Sequence, residues 1–67
     1  MFGERFKKLR KERKVPQQRL ADVMGVKLRA YQCYETETHE PGIQGLIALA
    51  DFYDVSIDYL VGRTDTP

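Results

Sequence analysis

Sixty-seven residues, 42% hydrophobic and 31% charged, make one domain near the lower size limit for folding without disulfides or metal. No apolar run approaches the roughly 18–20 residues that cross a bilayer, and the basic start MFGERFKKLRKERK has no apolar segment after it, so it does not read as a signal peptide. One cysteine and one histidine exclude an internal disulfide and a metal cluster, which makes an intracellular, cofactor-free protein the default expectation.

The net charge of +1 hides a division. Residues 1–33 hold ten Lys/Arg against three acids, and residues 34–67 hold one against seven. Such a polarity orients a chain toward a polyanion with its first half leading; the plainer alternative is solubility alone.

Five short helices account for nearly the whole length. The first is expected over about Gly3–Lys14, with Phe2, Phe6 and Leu9 at helical spacing among basic residues. Pro16 fits the first turn of a second helix, whose apolar stripe is Leu20, Ala21 and Met24, ended by Gly25 as a left-handed terminator. A third spans about Leu28–Thr36, with Tyr31 and Tyr34 one turn apart and facing inward. After the turn His39-Glu40-Pro41-Gly42, a fourth covers about Ile43–Tyr53, where Leu46, Ile47, Leu49 and Ala50 are the expected centre of the core. The fifth runs about Ile57–Val61, capped by Ser56, with Val55 and Leu60 spaced as a hydrophobic staple. Gly62 closes it, leaving residues 63–67 as a frayed tail to a single domain whose ordered part is about 3–62. No segment alternates long enough for a strand, so the class is all-α.

Helices two and three, joined by Gly25-Val26-Lys27, form a tight helix-turn-helix unit with a free outer face on the second member. A free helix has the right width for the DNA major groove. The stretches RFKKLRKERKVPQQRLADVMGV, YQCYE and HEPGIQGLIALADFYDVSIDYLVGRTD cover about residues 5–65. In their order and spacing, with Gln17, Leu20-Ala21, Gly25-Val26, Tyr34-Glu35 and Pro41, the chain resembles the Cro/C1-type helix-turn-helix domains of phage repressors and bacterial regulators.

The resemblance implies a five-helix bundle of the lambda-repressor-like kind that binds double-stranded DNA as a transcriptional regulator, in the role of a repressor, in the cytoplasm of a bacterium or encoded by a phage. It places Lys27, Leu28 and Arg29 at base edges, with Gln32 and Cys33 one turn further along. It assigns a phosphate contact to Gln17 and a structural ion pair to Arg10 and Glu35; Gln18, Arg19 and Lys14, from their chemistry and place in the first two helices, are expected to add further phosphate contacts. On chemistry alone, Arg29 can fork onto guanine O6 and N7, Gln32 can read adenine, and Leu28 can meet a thymine methyl. Each has an ordinary alternative: solvated surface for Lys27, Arg29 and Gln32, packing against helix two for Leu28, and a small surface filler for Cys33.

Several positions depart from the family pattern. Pro16 and Lys27 replace the usual Ser or Thr caps, Glu37 stands where a glycine is common after helix three, and Gly45 weakens the start of helix four. Leu28 replaces the glutamine that bonds to the Gln17 counterpart, so Gln17 is expected to be less firmly held. The rival reading is a protein-interaction module that kept the fold, docking through its acidic second half. No His, Cys or Ser is arranged with the scattered aspartates as a base or nucleophile, so neither catalysis, a metal nor a cofactor is expected. A short reader helix covers few base pairs, which points to a homodimer on a pseudo-palindrome with half-sites ~34 Å apart. Tyr53, Tyr59 and Val61 either furnish the dimer surface or complete the monomer core.

Overall fold

The structure, a computed structural model, describes all residues 1–67 as five helices without strands: α1 (Phe2–Glu12), α2 (Gln17–Met24), α3 (Leu28–Glu35), α4 (Ile43–Tyr53) and α5 (Ile57–Leu60). Helix α2 packs against α3 and α4, α1 crosses α3 and α5, and α4 leans on α5. Phe6, Leu20, Tyr31, Leu49 and Leu60 are the fully buried centre, with Phe2, Val15, Val26, Ala30, Leu46, Val55 and Ile57 packed around the cluster. None of the helices is long and apolar enough to cross a membrane.

All five helices stop by one device. A residue just past the last turn adopts positive φ, and its N–H bonds to the carbonyl three residues back; the next N–H reaches the carbonyl five back. The pairs are Lys14–Lys11 and Val15–Arg10, Gly25–Asp22 and Val26–Ala21, Glu37–Tyr34 and Thr38–Cys33, Asp54–Asp51 and Val55–Ala50, and Gly62–Tyr59 and Arg63–Asp58. These five left-handed residues are all the positive-φ residues of the chain. In three of the five the next residue is a valine (Val15, Val26, Val55) folded onto the core, so each such turn is fastened by burial as well as by hydrogen bonds.

Helix α1 therefore starts one residue earlier than expected and ends two earlier, because Lys14 takes the left-handed role at φ 56°. Pro16 lies one residue before α2 as its extended N-cap instead of inside the first turn. The helix cap predicted at Ser56 is present, its Oγ accepting from the Tyr59 N–H at 3.0 Å.

Two expectations are corrected, for Ile47 and for the tail, and one pair of alternatives, for Tyr53 and Tyr59, is decided. Ile47 is 40% exposed and Ile43 62% exposed, because α4 turns Leu49, Ala50 and Tyr53 inward and this places Ile43 and Ile47 on its outer flank. Tyr53 and Tyr59 are buried, so they complete the monomer core and are not free to form a dimer surface. The segment after Gly62 does not fray: the Arg5 guanidinium donates to the carbonyls of Tyr59 (2.7 Å) and Thr64 (3.1 Å) and to Asp65 Oδ1 (3.0 Å), and the Ser56 N–H bonds to the Pro67 carbonyl at 3.0 Å. Arg5 also lies 4.1 Å above the Tyr59 ring.

Two of the departures acquire reasons. A β-carbon on Gly45 would sit 3.1 Å from Met24 Cε, so this glycine lies where α4 meets α2 and spares the Met24 side chain a small shift. Glu37, left-handed where a glycine would be unstrained, extends its carboxylate to accept from the Gly3 N–H at 3.0 Å, satisfying an otherwise free amide at the start of α1.

Candidate nucleic-acid interface

One buried carboxylate joins the three helices around the helix-turn-helix unit. Glu35, at the end of α3, accepts from Arg10 Nε (2.6 Å) and Nη2 (3.1 Å) on α1, from the Tyr31 hydroxyl (2.7 Å), and from Gln17 Nε2 (3.3 Å) at the start of α2. Its side chain is 7% exposed and that of Arg10 17% exposed. Burial pushes the Glu35 carboxyl up, yet the bonds from Arg10, Tyr31 and Gln17 together with the Arg10 charge outweigh it and hold the pKa below the ordinary carboxylate value. The bond to Glu35 raises Arg10 in turn, against the effect of burial. Burial first, and then the bond to Glu35, push the Tyr31 phenol well above its ordinary value.

Gln17 is not loosely held, contrary to expectation. The position vacated by Leu28 is supplied from one turn further along α3, where Gln32 Nε2 donates to Gln17 Oε1 at 3.2 Å. Sequence reasoning had no signal for this, since Gln32 was one of several surface residues of the outer face. The Tyr31–Glu35 bond was equally hidden, although their i, i+4 spacing allows it.

The remaining expected readers lie on the outer side of α3. Lys27 and Arg29 are exposed, and Leu28 is half-buried outside the group packed on the core. Cys33, half-buried, forms with Ala30 and Tyr34 the apolar floor of a shallow concavity walled by Lys27, Arg29, His39 and Glu40. Among the expected phosphate contacts, Gln18 is exposed and commits one amide N–H to Asp22 Oδ1 at 2.9 Å. Arg19 is exposed with its guanidinium 5.4 Å over Phe52, and Lys14 is exposed in the turn between α1 and α2. With Pro16 as N-cap, no side chain caps the first amides of α2.

The charges sort by use. The four ion pairs of the chain involve only Arg5, Arg10 and Arg63 among the cationic side chains. The other eight, Lys7, Lys8, Lys11, Arg13, Lys14, Arg19, Lys27 and Arg29, are all exposed and all fall within residues 1–33. The first half thus carries all the unpaired cations: Lys14 and Arg19 lie in and after the turn that leads into α2, Lys27 and Arg29 lie at the start of α3, and Lys7, Lys8 and Lys11 lie together on α1 beside Glu4.

Two helices crossing through a short glycine turn, the second anchored from beneath and free outside, define the helix-turn-helix class. The chain belongs to the Helix-turn-helix family, whose model matches residues 6–60. It is 40% identical over 67 residues to the uncharacterized HTH-type transcriptional regulator YobD of Bacillus subtilis, covering 100% of this chain and 60% of that protein. It is 36% identical over 66 residues to the cryptic phage CTXphi transcriptional repressor RstR of Vibrio cholerae, covering 98% and 60%. Among solved structures it is similar to a transcriptional regulator from Listeria innocua, with a TM-score of 0.88 and 34% identity over 92% of this chain and 58% of that one. It is also similar to the P22 c2 repressor in complex with a synthetic operator, with a TM-score of 0.83 and 34% identity over 91% and 92%. The chain spans 52–60% of the length of the curated relatives it matches.

Proposed function

We propose that this chain binds double-stranded DNA with sequence preference, as the operator-reading domain of a bacterial or phage-encoded transcriptional repressor acting in the cytoplasm. In this reading α3 enters the major groove, Lys27, Leu28, Arg29 and Cys33 face base edges, and the start of α2 with Gln17, Gln18, Arg19 and Lys14 meets the phosphate backbone. The observation that carries it is the confinement of all eight unpaired cations to the half of the chain that holds the helix-turn-helix unit. The family membership and the operator-bound P22 c2 relative support the same reading.

The proposed assembly is a homodimer on a pseudo-palindrome. With Tyr53 and Tyr59 buried, Ile43 and Ile47 on the outer flank of α4 are among the large apolar side chains left exposed, with Met1 and Phe52. Leu46 of the same helix lines a notch with Phe2, Pro41 and Val61, and this flank is the surface we assign to a second copy. Glu40 borders both this notch and the concavity on α3, so a copy seated there would adjoin the reading face.

Selection of duplexes from a randomised pool, followed by gel shifts at several salt concentrations, tests the proposal. The expected outcome is an enriched two-fold-related sequence bound far more tightly than random duplex, with affinity falling as salt rises. Equal weak binding to every duplex by folded protein would favour a protein-interaction module in its place.

A further inference from the structure

We infer that Gln32 serves as a positioning residue for the amide of Gln17, and does not read bases. The inference rests on the DNA-binding reading above and concerns how its phosphate contact is prepared. Glu35 is ionised in the folded protein and can only accept hydrogen bonds, so the Gln17 group 3.3 Å away must be its NH2. The orientation of that amide is therefore fixed, and its carbonyl oxygen faces Gln32, whose own NH2 lies 3.2 Å from it. Donation runs in one direction, from Gln32 to Gln17 to Glu35, while Arg10 and Tyr31 fill the remaining positions on the carboxylate. Gln17 keeps one N–H uncommitted beside the uncapped backbone amides of α2. A side chain held at both its oxygen and its nitrogen presents that N–H to a phosphate without having to be ordered on binding. The family's usual partner for this glutamine comes from the first position of helix three; here that position is Leu28, and the same task is done from a residue one turn later.

The test pairs Gln32→Met, which keeps length and neutrality but removes the donor, with Gln17→Ala. Binding of both single variants and the double variant is measured on the selected duplex and on a single-base-pair substitution library, with thermal unfolding as the check on folding. Gln32→Met is expected to weaken binding about three- to tenfold on every duplex by the same factor, leaving the base preference profile unchanged. In the Gln17→Ala background the second substitution is expected to add nothing, and a duplex with a neutral methylphosphonate at the contacted position is expected to abolish the Gln32→Met effect. Relaxed preference at one base pair, an equal loss in the Gln17→Ala background, or no loss at all would each overturn the assignment. A wild-type chain that distinguishes no duplex would instead overturn the DNA-binding reading, and this inference with it.

Discussion

Glu35 draws four hydrogen bonds from donors on α1, α2 and its own helix, so single side chains here have effects beyond their size. Replacing Arg10 by Met strands the carboxylate against one hydroxyl and one amide, and is expected to cost about 2–4 kcal/mol in urea unfolding; the partial exposure of Arg10 keeps this at the lower end for broken ion pairs. Because the folded pKa of Glu35 lies below its unfolded value of about 4.3, its contribution is complete above that pH and is lost as pH falls through the folded value. Glu35→Gln is therefore expected to flatten the acid limb of stability, read as the urea midpoint against pH. Tyr53 presents the opposite situation: its hydroxyl is buried with no hydrogen-bond partner, and burial pushes its pKa up to about 12. Tyr53→Phe should leave stability within about 0.5 kcal/mol of wild type or raise it, since no bond is lost, and should weaken the loss of stability that sets in above about pH 10. On the outer face, Arg29→Ala should cost about 1–3 kcal/mol on the selected duplex and relax preference at one base pair, checked on the same substitution library.

At the scale of helices, the shared terminating turn explains both what the sequence disclosed and what it withheld. Gly25 and Gly62 advertise their left-handed turns, and the ends of α2 and α5 were readable from them. Lys14 and Glu37 carry no such signal, so the end of α1 was placed two residues late and Glu37 was counted only as a loss. The gain at Glu37 is a contact 34 residues away in sequence, at Gly3, which no local pattern contains. The same limit applied within the site: outer and inner faces of α3 followed from periodicity, whereas the Gln32–Gln17 bond depends on how closely two helices cross. These two terminators should respond differently to glycine. Lys14→Gly removes left-handed strain with no long-range bond at stake and should stabilise by up to ~1 kcal/mol. Glu37→Gly removes similar strain but frees the Gly3 amide, so its net change should be clearly smaller; chemical denaturation of the pair decides.

For the molecule as a whole, segregation of charge sets a quantitative limit on its response to salt. Each phosphate neutralised releases about 0.9 counterion, so eight unpaired cations bound the slope of log affinity against log salt at about −7 per domain. A domain that contacts DNA through only some of them should show a shallower slope, and each Lys-to-Gln replacement at a true contact should reduce it by about one. A slope steeper than this would require Arg5, Arg10 or Arg63 to leave its ion pair for DNA, or a dimer counted as one unit, which sedimentation of the complex distinguishes. The uneven charge along the chain is expected to favour encounters in which the unpaired cations lead, although Glu40 lies beside Lys27 and Arg29 and offsets part of that attraction.

Helix α3 is fastened mainly from its inner side, by Tyr31, Tyr34 and Glu35, with Gln32 tied to Gln17, while Lys27 and Arg29 enter no ion pair within the chain. It is thus an interchangeable cartridge in a fixed housing. Substitutions on its outward positions can rewrite the preferred target without loosening the bundle, so related regulators can diverge in what they recognise faster than in how they fold.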